Sequence, residues 1–165
     1  MSRSFPLRVL IWFLGLLALL AGLVVLTGAL LPATREGRAE TVITAPPERV
    51  LAVIADVEAQ PGWRDVGSVT RTGDGWVEVT ARGERISFVA EEMSTARVRL
   101  RFSSDAGYGG EWHALLQPIA GGTRIAVVER ATVPSPLGRI VARLLFDPTA
   151  FATAYLAALK ARVEG

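Results

Sequence analysis

One carboxylate stands where it could do chemistry. Ile125, Val127 and Glu129 alternate along residues 123–132, and alternate side chains of a β-strand point to the same face of the sheet. If Ile125 and Val127 face a core, Glu129 faces it too. An ionisable carboxylate on an apolar face has a raised pKa, so Glu129 is the candidate to bind a ligand hydroxyl group or to act as a general acid or base. The alternative is that Glu129 lies near the rim, at the end of the strand, and pairs with an arginine.

Most other catalytic and metal-binding arrangements are missing from the sequence. The chain has no cysteine and a single histidine, His113, which excludes disulfide scaffolds, thiolate metal sites and cysteine nucleophiles. His113 alternates with Trp112 and is expected to face outward. No nucleophile elbow, phosphate-binding loop, dinucleotide fingerprint or metal-ligand spacing occurs. We therefore expect no metal and no cofactor, and a binding module is favoured over an enzyme because no second buried titratable group accompanies Glu129.

The charge distribution argues against a nucleic-acid partner. The chain of 165 residues has a net charge of +2, and all 16 acidic residues lie beyond residue 33. Arg3 and Arg8 are the only basic residues before that point, so the segment from residue 34 onward is neutral. Nucleic-acid binding requires clustered lysine and arginine, so we expect no nucleic-acid partner. The sequence does not determine the oligomeric state.

Residues 9–31 form an apolar stretch of 23 residues without a charge. As a helix this stretch would be about 34 Å long, enough to cross a hydrocarbon core of about 30 Å. A cleavable signal peptide is the alternative, but its apolar core is usually about 7–15 residues long and is followed by a cleavage site. We expect a tail at 1–8, a retained transmembrane helix at 9–31 and a linker at 32–37.

The orientation of this helix is predicted from its flanking arginines. Arg3, Arg8 and the terminal amine precede the helix, and Arg35, Arg38 and Arg49 follow it, so the count of basic groups is nearly balanced. Glu36 and Glu40 dilute the positive charge on the far side. Basic residues are retained on the cytoplasmic side. We expect a single-pass protein of the cytoplasmic membrane with its N-terminus inside and its domain, residues 38–165, outside, so the bilayer is one predicted partner.

The remainder of the chain predicts an α+β domain. A strand at 38–44 precedes a short helix that begins at Pro46-Pro47. Apolar alternation then predicts six strands, at 66–72, 76–81, 85–92, 97–103, 110–117 and 123–132. A helical stripe that includes Leu144 and Tyr155 ends the chain, and Asp147-Pro148 is expected to break or kink that helix.

The segment 97–102 shows the clearest alternation. Val98, Leu100 and Phe102 are expected to face the core while the three intervening arginines face water. An anion site is the alternative for these arginines. We expect them to form ion pairs with glutamates on neighbouring strands, such as Glu78 and Glu91.

Five segments carry a resemblance to a known superfamily. They are ITAPPERV at 43–50, DVEAQPGWRDV at 56–66, GTRI at 122–125, VER at 128–130 and PLG at 136–138. In this order they resemble the START, polyketide-cyclase and birch-pollen-allergen superfamily (SRPBCC), in particular its small bacterial polyketide-cyclase/dehydrase-like members. The resemblance implies a helix-grip fold, in which a curved antiparallel sheet of about seven strands wraps around a long C-terminal helix.

The resemblance also implies a hydrophobic cavity between the sheet and the last helix, where relatives hold lipids, sterols and polyketides. Residue alternation and the resemblance together give the residues expected to line this cavity. The alternative is that the same residues fill a closed core, with Trp63 closing one end of that core. The expected lining residues are Trp63, Ile86, Phe88, Val98, Leu100, Phe102, Trp112, Ala114, Leu116, Ile125, Val127, Glu129, Leu144 and Tyr155.

Three functions are compatible with this sequence. The first is a membrane-anchored domain that binds an apolar small molecule or a lipid. The second is an enzyme of the cyclase, dehydratase or hydrolase type that acts on an aromatic or polyketide substrate through Glu129. The third is a structural subunit of a membrane complex whose cavity has collapsed.

Overall fold

The structure, a computed structural model, describes residues 4–165, so Arg3 lies outside the described residues. Its elements in chain order are α1 (Ser4–Leu30), β1 (Thr34–Ile43), α2 (Pro47–Ala55), a 3-10 helix (Val57–Gly62), β2 (Ser68–Thr72), β3 (Gly75–Val79), β4 (Arg85–Met93), β5 (Arg97–Ser104), β6 (Gly109–Ile119), β7 (Gly122–Thr132), α3 (Pro136–Leu145) and α4 (Pro148–Glu164).

These elements divide into two compact units. The helical unit contains the chain up to Ala33 together with Val133–Phe146, and therefore holds α1 and α3. The sheet unit contains Thr34–Thr132 and Asp147–Gly165, and therefore holds all seven strands, α2 and α4.

The sheet unit is built on one antiparallel sheet with the strand order β1-β7-β6-β5-β4-β3-β2. Strands β2 to β7 follow one another as a meander, and β1 pairs with β7 from Thr34↔Thr132 to Ile43↔Thr123. Helix α4 packs on the inner face of this sheet through Ala152, Leu156 and Leu159, which recur on one side of the helix. The α+β helix-grip prediction, with its curved sheet of seven strands, is confirmed.

The predicted break before the last helix is present. Phe146 has extended backbone angles (φ −132°, ψ 124°), which end α3. The Asp147 carboxylate then accepts hydrogen bonds from the backbone N–H groups of Thr149 and Ala150 and so caps α4, whose first residue is Pro148. The C-terminal stripe is therefore two helices rather than one long helix.

This break places Leu144 on a different helix from Tyr155. Leu144 is 76% exposed and lies on α3 in the helical unit. The apolar residues of 137–145 have the same spacing in a helix that covers a sheet and in a helix that belongs to another unit. The spacing alone therefore does not distinguish these two arrangements. Residues 133–146 of the domain predicted at 38–165 belong to the helical unit, and α4 and α2 supply the helical part of the core of the sheet unit.

Two further boundaries differ from the predictions. Helix α1 begins at Ser4, before the apolar stretch at 9–31, and ends at Leu30. The linker predicted at 32–37 is too long, because β1 already begins at Thr34. Residues 34–37 are recruited into the sheet by their pairing with β7, which extends to Gly37↔Glu129 and beyond.

The outer face of the sheet carries the predicted arginine ladder. Arg99 Nη2 lies 3.6 Å from Glu91 Oε2, Arg101 also pairs with Glu91, and Arg97 Nη1 lies 3.7 Å from Glu92 Oε2. Glu91 therefore behaves as expected, whereas the prediction for Glu78 is wrong. Glu78 is buried on the inner face, because it alternates with the buried Trp76 along β3.

Candidate ligand-binding site

The inner face of the sheet brings together most of the residues that were predicted from alternation. Seven of them belong to the buried core cluster, with Trp63, Phe88 and Tyr155 packed against it: Val98, Leu100, Trp112, Ala114, Leu116, Ile125 and Val127. Phe102 is also buried, and Ile86 is half-buried. Leu144 of the predicted set lies on α3 in the helical unit. Whether the remaining residues line an open cavity stays a prediction.

One aromatic group joins the sheet to α4. Tyr155 of α4 contacts Trp112 of β6 edge-on, with ring centroids 5.3 Å apart, and Trp63 at 5.8 Å. Trp63 follows the 3-10 helix, and its backbone N–H donates to the carbonyl oxygen of Gln60. Within the described residues, the Nε1 atom of Trp63 is buried and has no hydrogen-bond partner. A buried donor without an acceptor is destabilising, so this N–H group is available to an acceptor on a ligand.

A second aromatic row crosses β3, β4 and β5. Trp76 and Phe88 are cross-strand partners whose rings stack at 5.2 Å, and Phe88 lies 5.7 Å from Phe102, its partner on β5. Tyr108 extends the row with an edge contact to Phe102 at 6.4 Å. The register of the strands thus places Trp76, Phe88 and Phe102 side by side on the inner face, and Tyr108, just before β6, packs on the end of this row.

Between these aromatic groups lies a buried ion pair. Arg64 pairs with Glu78, and their side chains are only 14% and 6% exposed. Glu78 Oε1 also accepts a hydrogen bond from Trp76 Nε1 at 3.1 Å, and Arg64 Nε donates to Gln60 Oε1 at 2.8 Å. The Arg64 guanidinium carbon lies 5.9 Å from the centre of the Tyr155 ring. Arg64 therefore links the chain that follows α2 to both the sheet and α4.

Glu129 lies on the same face as Ile125 and Val127, as the alternation predicts. It is half-buried and stands between Trp112 on β6 and Gly37 on β1. Burial raises the pKa of Glu129 to about 7, with the positive charge of Arg64 opposing the rise and the negative charge of Glu78 adding to it. Near neutral pH this carboxyl group therefore exists in both protonation states, so it can donate or accept a hydrogen bond.

The start of α4 lies close to this carboxyl group. A Cβ atom on Gly37, the β1 partner of Glu129, would stand 2.2 Å from the carbonyl oxygen of Pro148. Only glycine allows this approach of α4 to β1. The absence of a side chain at position 37 leaves the Glu129 side chain flanked by Trp112 on one side and by the first turn of α4 near the other.

Two tyrosines complete the inner face. Burial raises the pKa of Tyr155 and of Tyr108, and for Tyr108 a hydrogen bond with the Glu84 carboxylate adds to the rise. Both phenols therefore remain protonated and can serve as neutral hydrogen-bond donors.

Sequence reasoning did not assign Trp76 or Arg64 to this site, and it assigned Glu78 to the outer face. The alternation of Trp76 with Glu78 is a signal that could have placed the carboxylate inside. Its partner Arg64 is supplied by a loop, and no periodicity relates it to β3. His113 lies on the face opposite Trp112, as predicted, with Nε2 at 3.2 Å from Glu111 Oε2.

The described residues contain no group of three or more His, Asp or Glu side chains that could hold a metal ion. A shallow outer depression is lined by Arg38, Glu111, His113, Val128 and Arg130. Arg38 and Arg130 both pair with Glu36, and Glu111 lines the same depression, so its two guanidinium groups are matched by two carboxylates.

No protein-family model and no curated protein matches the chain. Solved structures do resemble it. A START superfamily protein from Mycobacterium smegmatis is 16% identical over 79% of this chain and 97% of that protein, with a TM-score of 0.54. TTHA0849 from Thermus thermophilus is 26% identical over 78% of this chain and 97% of that protein, with a TM-score of 0.57.

DynU16, a protein of the dynemicin biosynthetic locus, is 19% identical over 78% of this chain, with a TM-score of 0.57. This chain matches only 47% of the length of DynU16. At these identities the likeness concerns the fold. Together with the observed element order, it shows that the sheet unit has the START-like helix-grip fold, preceded in the chain by one apolar helix.

Proposed function

We propose that the chain is a single-pass membrane protein whose sheet unit binds an apolar small molecule or a lipid between the inner face of the sheet and α4. The observation that carries this proposal is the set of polar groups enclosed by aromatic side chains. These groups are the Arg64–Glu78 pair, the Glu129 carboxyl group and the unpaired Nε1 of Trp63.

The composition of this face supports binding rather than simple packing. Small-molecule sites are mostly apolar and aromatic, with a few polar groups that orient the ligand. A buried ion pair contributes little net stability, and an apolar pair of similar volume often replaces it without loss. A buried polar cluster that adds little net stability as a whole, next to a donor without an acceptor, is typical of a ligand site.

The chemistry of the cluster indicates the ligand class. Arg64 is already neutralised by Glu78, so a ligand carrying a full negative charge would have to compete with that carboxylate. Glu129 offers a donor when protonated, and Trp63 Nε1 offers a second donor. An apolar molecule with a hydroxyl or carbonyl oxygen fits these groups. The START superfamily protein and DynU16 share the fold of this unit. This shared fold supports ligand binding as an analogy between folds.

Membrane anchoring is the second part of the proposal. Helix α1 is long and apolar enough to cross a membrane over Leu7–Leu30, and its side chains are exposed along this length. Those 24 residues extend about 36 Å, against a hydrocarbon core of about 30 Å.

We propose that the N-terminus lies inside the cell and the sheet unit outside the membrane. External protease on spheroplasts should then digest a C-terminal tag, and the intact mass should include α1; a protected tag would reverse the orientation.

Native mass spectrometry of the full chain, released from detergent, tests the binding proposal. We expect a bound apolar molecule of defined mass that organic extraction recovers. Trp63→Phe keeps the ring and removes the Nε1 donor, so it should lower the occupied fraction, while Trp12→Phe in α1 should leave it unchanged. Repeated recovery of empty protein would contradict the proposal.

A second candidate, an acid–base enzyme, is favoured by one specific observation. Glu129 has a pKa of about 7, which suits a general acid or base at neutral pH, and the buried Glu78 lies on the same face. An aromatic or polyketide substrate is the class we would test. Glu129→Gln should then abolish turnover while the bound molecule is retained, and turnover that survives this change would exclude Glu129 as the acid or base.

A further inference from the structure

Helix α3 exposes an apolar face. Leu137, Val141, Leu144 and Leu145 recur with the spacing i, i+4, i+7 and i+8, which places them on one side of the helix. Each of the four is more than half exposed, and Leu144 and Leu145 are among the most exposed large apolar side chains of the described residues. Large apolar side chains grouped on a surface indicate an interaction site.

The same helix is fixed to the end of α1. A Cβ atom on Gly28 would lie 2.2 Å from the carbonyl oxygen of Pro136, so glycine is required where α3 begins. The Arg139 guanidinium donates to the carbonyl oxygens of Ala29 and Leu31, at 3.2 and 3.4 Å. These carbonyl groups have no partner within the helix because α1 ends there. Arg139 thus caps α1 and holds α3 beside its last turn.

The charge of the helical unit has a single sign. Its described stretches, residues 4–33 and 133–146, contain Arg8, Arg139 and Arg143 and no aspartate or glutamate. Arg143 is exposed on α3, outside the arc that the four apolar side chains occupy. An apolar face flanked by arginine, without acidic residues, suits the surface of an anionic bilayer.

We propose that α3 is an interfacial helix, which lies at the boundary between lipid headgroups and acyl chains with Leu137, Val141, Leu144 and Leu145 in lipid. This inference rests on the proposed membrane anchoring by α1. If α1 spans the bilayer, its last turn reaches the headgroup level because the helix is longer than the hydrocarbon core. The contacts of Gly28 and Arg139 place α3 at that level, with its apolar face on the side of the helix opposite Arg139.

The absence of cysteine makes a direct test possible. Leu144→Cys, Leu17→Cys in the middle of α1, and Thr95→Cys in the exposed turn between β4 and β5 each provide one labelling site for an environment-sensitive fluorophore. The full chain is reconstituted into vesicles of phosphatidylcholine and phosphatidylglycerol. Quenching by lipids with a spin label near the headgroup, and by iodide in the water, is measured at each site.

We expect the probe at position 144 to be quenched by the shallow spin-labelled lipid and to be several-fold less sensitive to iodide than the probe at position 95. The probe at position 17 should respond only to deeply labelled lipid. A lipid response at 17 with full iodide access at 144 would overturn the interfacial helix and leave the anchor standing. Protection at 144 from both quenchers would indicate a protein partner and would also overturn it. No lipid response at 17 would remove the anchor and this inference together.

Discussion

The two faces of the sheet contain the same type of ion pair in different surroundings. On the outer face, Arg99 and Arg101 pair with Glu91 while their side chains are 41% and 67% exposed. On the inner face, Arg64 and Glu78 are almost fully buried among aromatic rings. Water screens the outer pairs, so each is worth about 0–1 kcal/mol. The inner pair also acts on its neighbour, since both of its charges influence the pKa of Glu129. The difference shows that burial, more than the number of charges, decides which ion pairs affect stability and the pKa of neighbouring groups.

The largest effect is expected when the inner pair is broken. Arg64→Met removes one charge and leaves the Glu78 carboxylate buried without its partner, which should lower the free energy of unfolding by about 3–5 kcal/mol. Thermal or urea unfolding of the full chain in detergent measures this change. The matched control is Arg101→Met on the outer face, for which about 1 kcal/mol or less is expected. Equal losses for the two variants would refute the distinction between the faces.

The next effect is a pH dependence that arises from Glu129. Its pKa is about 7 in the folded chain and 4.5 as the ordinary value. A raised pKa means that the folded state holds the proton more tightly, so the stability contributed by Glu129 is fully present below pH 4.5 and is lost as the pH rises to about 7. The loss amounts to roughly 3 kcal/mol. Glu129→Gln cannot ionise, so its stability relative to wild type should rise across this window, as melting curves at pH 5 and pH 8 would reveal. A constant difference between the two proteins would contradict the burial of this group.

A smaller effect is expected at the tryptophan that supports the inner pair. Trp76→Phe retains a ring that can stack on Phe88 but removes the hydrogen bond from Nε1 to Glu78. A bond to a charged group is worth about 1.5–3 kcal/mol, and the remaining partner Arg64 should limit the loss to the lower end of that range. Unfolding experiments measure the loss, and a double-mutant cycle with Glu78→Gln separates the hydrogen bond from the volume lost at position 76. Trp12→Phe, at an exposed position of α1, is the control without effect. A change no larger than that control would show that Nε1 does not support the pair.

The smallest effect is expected at the outer glutamate. Glu91→Gln should lower the free energy of unfolding by at most about 1 kcal/mol, and the difference from wild type should shrink as salt rises because exposed charges are screened. Unfolding at two salt concentrations measures it. The loss of stability caused by Arg64→Met should depend less on salt, because that site is buried. A stronger salt dependence for Arg64→Met than for Glu91→Gln would contradict the distinction between the two faces.

The strands were predictable because each side of this sheet has a distinct environment. Alternation located all six strands of the meander to within a few residues, and it placed Glu129 on the inner face. The same rule applies to Trp76 and Glu78, but the charge of Glu78 suggested water, and only tertiary structure supplies its partner Arg64.

The position of α3 was not predictable from its own residues. Leu137, Val141, Leu144 and Leu145 have a helical spacing that fits a helix covering a sheet as well as a helix lying on lipid. The contacts that decide the position of α3 come from α1, more than 100 residues away. Two contacts together determine the position of α3. Gly28 allows the close approach of Pro136, and Arg139 donates hydrogen bonds to the carbonyl oxygens of Ala29 and Leu31. No local pattern relates such positions.

The central claim, that the inner face binds an apolar ligand through its polar cluster, is tested most directly by thermal unfolding of the full chain during ligand titration. The probes are apolar molecules of one size that carry a hydroxyl group, a carbonyl group or neither. We predict a saturable rise in melting temperature for the oxygen-bearing molecules, equivalent to about 2.7 kcal/mol at a hundredfold excess over Kd. The rise should be smaller in Trp63→Phe and unchanged in Glu91→Gln. No rise with any probe, or an equal rise in all three proteins for the molecule without oxygen, would contradict the account.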